Sequence, residues 1–235
     1  MRSRSGPISG SYVKALTDLF YPQRCVGCRA RASDLLCAGC HEALPVIESP
    51  VCRRCGLPTA FDTPVCEDCK GRDLSFDSAR APLRYEGVGE EIVRALKYRA
   101  YLTVAPRLAA PLMVDSMRDE AGFDAVVPVP LHRSRLAKRG FNQAAVLARE
   151  IATILGAKSA QTLRAVRATR DQVELTASER RDNVRDAFRI EGPVRGRVLL
   201  VDDVLTTGAT LSECAGALKE TGAGEVHCLS LCRAC

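Results

Sequence analysis

The sequence of 235 residues carries a formal net charge of +6, and 46% of its residues are hydrophobic and 26% charged. This composition is typical of a soluble globular protein with one mid-sized domain and a small appendage. No apolar run approaches the roughly 20 residues of a membrane span, and the first residues lack the apolar core of a signal peptide, so we expect a cytoplasmic protein.

The chain divides into three parts by its residue pattern. We expect an N-terminal helix over residues 1–20, a cysteine-rich module over residues 21–72 and an α/β domain over residues 73–235. The module is rich in turn residues and poor in apolar ones, so it needs bound metal in order to fold.

Eight of the twelve cysteines form four CxxC pairs between residues 25 and 69. They are Cys25, Cys28, Cys37, Cys40, Cys52, Cys55, Cys66 and Cys69. Thiolates at this spacing are typical of tetrahedral zinc sites, whereas disulfides are rare in a reducing compartment. We predict two structural Zn²⁺ sites, one held by the first four cysteines and one by the last four. Interleaved pairing and an iron–sulfur cluster are the alternatives.

Strands and helices are predicted to alternate through the rest of the chain. Apolar runs and turn residues predict strands at 77–85, 123–130, 160–166, 198–201 and 225–231. Helical spacing predicts helices at 87–101, 104–118, 141–156, 176–188 and 206–220. This alternation indicates an α/β fold with a mostly parallel sheet flanked by helices.

The stretch RVLLVDDVLTTGATL, residues 197–211, ends a buried strand in two adjacent carboxylates. Asp202 and Asp203 lie where the strand should leave the sheet, and the small and hydroxyl residues 206–210 begin a helix. Amide N–H groups and hydroxyls at such a helix start form a cradle for a phosphate. The two carboxylates beside it could hold ribose hydroxyls or a hydrated metal ion.

Positive charge is concentrated in residues 131–189, which hold 13 Lys and Arg against 6 Asp and Glu. Such an excess favours a polyanionic ligand, either a pyrophosphate or a nucleic-acid backbone. A solvated basic face is the alternative.

The motif VLLVDDVLTTGAT resembles the binding motif for phosphoribosyl diphosphate (PRPP) in type I phosphoribosyltransferases. Together with the four CxxC pairs, LKY at 96–98, PVPLHRSRLAKRGFNQA at 128–144 and RATRDQVELTASERRDNVRDAF at 167–188, it is similar to the ComF family (ComFC- or GntX-like). The resemblance covers nearly the whole chain and implies a type I phosphoribosyltransferase-like domain behind an N-terminal double zinc ribbon.

The resemblance also implies a role for each matching residue. Asp202 and Asp203 would contact the ribose hydroxyls, directly or through Mg²⁺. Arg167 would act in catalysis from a mobile loop over residues 167–172. The phosphate cradle would consist of Thr206, Thr207, Gly208, Ala209 and Thr210, and the pyrophosphate loop of Leu131, His132 and Arg133.

Three functions follow from these features. The first is a protein that binds PRPP with Mg²⁺ and acts in competence, DNA uptake and the handling of single-stranded DNA. The second is an active phosphoribosyltransferase on an unidentified base in nucleotide metabolism. The third is a zinc-ribbon docking protein for a competence helicase or another uptake protein. A homo-oligomer is compatible with each of them.

Overall fold

The computed structural model describes residues 23–98, 104–168 and 177–235. The helix predicted at 1–20 and most of the loop predicted at 167–172 lie outside the described residues. The strands are β1 Ser78–Arg80, β2 Leu83–Arg84, β3 Ala125–Pro128, β4 Lys158–Ser159, β5 Leu163–Ala165, β6 Phe188–Ile190, β7 Gly196–Leu205 and β8 Ala223–Arg233. The helices are α1 Ala38–Glu42, α2 Gly87–Leu96, α3 Val104–Asp115, α4 Arg133–Arg139, α5 Gln143–Leu155, α6 Ala177–Val184 and α7 Ala209–Glu220.

Six strands form a parallel sheet in the order β1-β8-β7-β3-β4, with β2 also paired to β8. The predicted α/β architecture is therefore confirmed. Strands β5 and β6 form a separate antiparallel hairpin. No described helix is long and apolar enough to cross a membrane.

The central strand β7 is buried on both faces, as its uninterrupted apolar run predicts. Val198 and Leu200 pack into one hydrophobic cluster together with α7 and the hairpin, whereas Leu199 and Val201 pack into a second cluster together with α2, α3 and α5. The sheet thus separates two hydrophobic cores. The polar residues that line the pocket described below lie at the carboxyl ends of its strands.

Each group of four cysteines packs against a different face of the sheet. Cys25 and Cys40 belong to the same cluster as Leu199, whereas the second group belongs to the cluster of Leu200. Backbone hydrogen bonds from Ala79 to Arg54, from Ile47 to Pro82 and from Arg84 to Pro45 also cover the β1–β2 edge. An exposed strand edge is thereby protected by the cysteine-rich module.

Several elements differ from the sequence prediction. The helices predicted at 87–101, 104–118 and 206–220 span Gly87–Leu96, Val104–Asp115 and Ala209–Glu220. The strand predicted at 77–85 is divided into β1 and β2, because Pro82 has no N–H group for a ladder hydrogen bond. The helix predicted at 176–188 ends at Val184, and Phe188 pairs with Ala165 in the hairpin. Residues 133–139 form the short helix α4, which was not predicted. Strand β7 continues to Leu205, so it includes the two aspartates.

Candidate functional site

A pocket of about 450 Å³ opens at the carboxyl ends of β3 and β7. Pairing between β3 and β7 stops at Pro128 and Val201, whereas β7 remains paired with β8 through Leu205. The next residues of β7 therefore lose their neighbour on one side and face the pocket. Asp202, Asp203, Thr206, Gly208, Ala209 and Thr210 all line it.

The two aspartates lie on opposite faces of β7, because successive side chains of a strand alternate. Asp203 is buried, with 11% of its side chain exposed, and Asp202 is half-buried. The Asp202 carboxylate accepts a hydrogen bond of 2.8 Å from the backbone N–H of Asp203. Burial, and then the nearby Asp203 charge, raise the pKa of Asp202 well above its usual value. A cation bound in the pocket would favour the ionised form.

Asp203 is held by polar side chains from the ends of three helices, α2, α4 and α5. Gln143 Nε2 donates to Asp203 Oδ2 at 3.3 Å, and Lys97 Nζ lies 3.6 Å from the same oxygen. Arg139 Nη1 donates to Gln143 Oε1 at 2.5 Å. Because Lys97, Arg139 and Gln143 all line the pocket, the site brings two cations to one side of the acidic pair.

The turn after β7 has the geometry of an anion cradle. Gly208 is the N-cap of α7, with φ at +77°, which glycine adopts without strain. A Cβ at this position would also lie 3.4 Å from the Phe76 ring. The first residues of α7 line the pocket, and the amide N–H groups at a helix N-terminus are the donors that phosphate sites use. Thr207 does not line the pocket, and its hydroxyl accepts a hydrogen bond of 3.4 Å from the N–H of Ala209.

The cradle is fixed from outside by the end of the cysteine-rich module. Arg72 Nη2 donates to the carbonyl of Thr207, and Ser75 N donates to Ser212 Oγ of α7 at 2.9 Å. In a trans peptide, the C=O group and the next N–H group point in opposite directions. By holding the Thr207 carbonyl, Arg72 directs the N–H of Gly208 away from itself, and Gly208 lines the pocket.

The segment after β3 forms the opposite wall. Leu131, His132 and Arg135 line the pocket, as does Arg167 from the end of the hairpin. His132 caps α4, because its Nδ1 accepts from Ser134 N at 3.3 Å. In the neutral ring the proton is then on Nε2, which becomes a donor. Arg133 lines a neighbouring groove instead of this pocket.

The two cysteine groups have the donor chemistry of zinc sites. The sulfurs of Cys25, Cys28, Cys37 and Cys40 lie within 4.8 Å of one another, and so do those of Cys52, Cys55, Cys66 and Cys69. Burial would raise the pKa of Cys25, but backbone N–H groups, including that of Cys37, lower it to about 6. A thiolate is therefore favoured at Cys25, whereas burial raises the pKa of Cys40 in the same group to about 12, so that metal binding there would have to displace a proton. Four sulfurs in each group match tetrahedral Zn²⁺ and leave no open position for catalysis.

The second cysteine group is also connected to the rim of the pocket. Arg233, at the end of β8, donates to the carbonyl of Cys55 at 2.7 Å and to its sulfur at 3.5 Å. The next residue, Ala234, donates to the carbonyl of Leu205 and lines the pocket. A change in the geometry of this cysteine group would therefore shift Arg233 and, through it, the pocket wall at Ala234.

Comparison with known proteins agrees with both halves of this architecture. Residues 16–70 match the double zinc ribbon domain, and residues 136–234 match the phosphoribosyl transferase domain. The DNA utilization protein YhgH of Salmonella typhimurium is 36% identical over 205 residues, which cover 84% of this chain and 90% of the relative. Competence protein F of Haemophilus influenzae is 30% identical over 230 residues, covering 92% of this chain and 99% of the relative. The chain belongs to the ComF family.

Solved structures similar to this ComF-family chain include two phosphoribosyl enzymes. Glutamine PRPP amidotransferase from B. subtilis is 20% identical, with a TM-score of 0.35, and the match covers 60% of this chain and 26% of that one. Adenine phosphoribosyltransferase from Thermoanaerobacter pseudethanolicus is 16% identical, with a TM-score of 0.34, over 55% of this chain and 80% of the other. The fold assignment itself rests on the parallel sheet and the matched domain.

Arg135 and Tyr85 line the ComF-family pocket without having been predicted as site residues, and so do three polar residues around Asp203. Lys97, Arg139 and Gln143 are contributed by the ends of α2, α4 and α5. Each lies inside a stretch that carries the family resemblance, LKY or PVPLHRSRLAKRGFNQA. That location was the available signal. Asp203 lies 60 residues after Gln143, however, and a contact over that distance in sequence cannot be deduced from spacing.

Proposed function

We propose that this ComF-family protein binds PRPP together with Mg²⁺ in the pocket at the end of β7. The observation that carries the proposal is that one pocket combines an anion cradle, an acidic pair and several cations. A sugar with a phosphate at one end and a pyrophosphate at the other needs each of these groups. The proposal assigns the 5-phosphate to the cradle formed by residues 206–210.

The acidic pair would hold the ribose hydroxyls of the bound PRPP. Carboxylate oxygens accept hydrogen bonds from hydroxyls, and Gln143 and Lys97 keep the Asp203 carboxylate in place. Asp203 is thus already oriented before the ligand binds, which lowers the entropic cost of binding.

The basic wall would bind the pyrophosphate. His132, Arg135 and Arg139 reach the pocket from the segment after β3, and Arg167 reaches it from the hairpin. Positive groups stabilise the negative charge that develops on a departing pyrophosphate. Arg133, which the resemblance places in this loop, lies on the groove side in the described structure, so Arg135 is the better candidate for this contact.

The donor set at the acidic pair fits Mg²⁺. This ion prefers oxygen ligands and is usually held by one or two carboxylates plus substrate phosphates, and two carboxylates line this pocket. When bound, Mg²⁺ supplies charge neutralisation for the pyrophosphate oxygens. The raised pKa of Asp202 is consistent with a carboxyl group that ionises fully only when a cation is close.

Titration calorimetry of the zinc-loaded protein with PRPP in the presence of Mg²⁺ tests this function. The wild type should bind, and Asp203→Asn should weaken binding by about 10- to 100-fold, since a hydrogen bond to a charged group contributes roughly 1.5–3 kcal/mol. Asp115→Asn is the matched control and should bind normally, because Asp115 is an exposed aspartate at the end of α3 that pairs with Arg118. A wild type that binds no PRPP would refute the proposal.

We further propose that the protein acts in DNA utilization or natural transformation and handles single-stranded DNA in the cytoplasm. The names of its relatives, DNA utilization protein and competence protein F, support this role. The positive excess of residues 131–189 also supports it. The double zinc ribbon is proposed as a docking surface for a helicase or another uptake protein.

A further inference from the structure

A second cavity, of about 650 Å³, lies beside the PRPP pocket. It runs between α5 and the β5–β6 hairpin, and we call it the hairpin groove. The segment Pro130–His132 lines both cavities and forms their common wall. The hairpin groove is thus a distinct space that adjoins the proposed pyrophosphate site.

Three arginines line the hairpin groove, and two of them have no carboxylate partner among the described residues. Among the described residues, neither Arg133 nor Arg149 has a carboxylate within 4.0 Å, although both are exposed at the groove. Arg164 pairs at 2.8 Å with Glu191, which also lines the groove, but both side chains are exposed and such a pair contributes little. Arg189 lies directly opposite Arg164 in the hairpin register, and like charges at such positions repel. An anionic ligand would relieve this repulsion and compensate the unpaired charges.

Apolar side chains lie among the polar residues that line the hairpin groove. Leu136, Phe141 and Val166 line it, and the exposed fractions of Leu136 and Val166 are 41% and 45%. A solvated basic face does not need exposed large apolar side chains beside its cations. A ligand that carries both a flat ring and a phosphate would cover the apolar side chains and pair with the arginines.

We propose that the hairpin groove binds a nucleotide unit, with its phosphate on Arg149 and Arg164 and its base on the apolar side chains. Arginine is well suited to phosphate because its planar donors match the phosphate oxygens. Bases stack readily on aromatic side chains, irrespective of sequence. The unit could be a free nucleotide or part of a single strand, and the inference rests on the proposed handling of single strands only in the second case.

Fluorescence anisotropy with a labelled oligothymidylate of about ten nucleotides, a length that single-strand sites commonly cover, tests the hairpin groove in the full zinc-loaded chain. Arg149→Gln and Arg164→Gln should each weaken binding by about tenfold. Each should also lower the slope of log K against log salt by about 0.7, as expected for the loss of one phosphate contact on a single strand. Arg118→Gln, which changes the same charge next to α3, is the control and should bind like the wild type.

Competition with thymidine monophosphate identifies the source of the nucleotide unit. Once both groove variants have weakened binding of the oligomer, displacement of the oligomer by the mononucleotide assigns a free-nucleotide site to the groove. An inert mononucleotide then assigns a strand to it. The inference is overturned if the oligomer does not bind, or if both groove variants bind it like the wild type. Neither variant changes a residue of the PRPP pocket, so PRPP calorimetry on them separates this failure from failure of the PRPP proposal.

Discussion

Replacing Arg72 by methionine should weaken PRPP binding, although Arg72 does not line the pocket. The guanidinium donates to the carbonyl of Thr207 and also lies 3.3 Å from the carbonyl of Asp68 in the second zinc ribbon. Methionine keeps an unbranched apolar stem but removes all the donors. The Thr207–Gly208 peptide could then rotate, and the N–H of Gly208 would no longer be held towards the phosphate.

The size of the effect follows from the nature of this hydrogen bond. A bond from a charged donor contributes roughly 1.5–3 kcal/mol, and the partial exposure of Arg72 reduces this to about 1–2 kcal/mol. A loss of that size corresponds to a decrease in affinity of about 5- to 30-fold. Amide hydrogen exchange of the segment 206–210 should become faster in the absence of ligand, because local opening costs less free energy.

Calorimetry with PRPP and amide exchange measured by mass spectrometry provide the two readouts. Arg53→Met is the matched control, because Arg53 lies in the same zinc ribbon but pairs with Asp62 at the surface. Zinc content should stay at the wild-type level in both variants. If Arg72→Met retains zinc, exchanges its loop amides at the wild-type rate and binds PRPP within about twofold of the wild type, the orienting role of Arg72 is wrong.

Two further predictions concern the acidic pair and the metal. Because the folded pKa of Asp202 is raised, its burial lowers stability as the pH rises above the unfolded value of about 3.9. Asp202→Asn should therefore raise Tm at neutral pH, by about 2–4 °C for each kcal/mol of destabilisation that the substitution removes. The same substitution should weaken Mg²⁺-dependent PRPP binding. An unchanged Tm in calorimetric scans from low to neutral pH would contradict this. Cys55→Ser should lower the zinc content and also, through Arg233, the PRPP affinity. Cys28→Ser should lower only the zinc content. Equal PRPP affinities of the two variants would contradict the connection between the second cysteine group and the pocket.

The parts of the site that could be predicted from sequence are those that depend on local chain geometry. A continuous apolar run followed by Asp202 and Asp203 predicts a buried strand whose end is polar, and Gly208 before a helical stretch predicts the turn. The CxxC spacing likewise predicts each cysteine group, because four ligands close in sequence converge on one site.

The remaining parts depend on contacts between residues far apart in sequence. The hairpin consists of two three-residue strands, and a run as short as Phe188–Ile190 carries no periodic signal. Helix α4 was missed because its basic residues have no apolar stripe, and it contains no buried residue. Lys97 and Gln143 reach Asp203 only because α2 and α5 pack on the same face of the sheet.

The placement of the two zinc ribbons on opposite faces of one sheet has a consequence for cells that are short of zinc. A newly made chain without metal would lack the cover of both faces and of the β1–β2 edge at the same time. Bare strand edges and apolar faces are the surfaces through which chains aggregate. We therefore expect zinc starvation to reduce the amount of this protein through self-association and proteolysis, before any shortage of its ligands is felt.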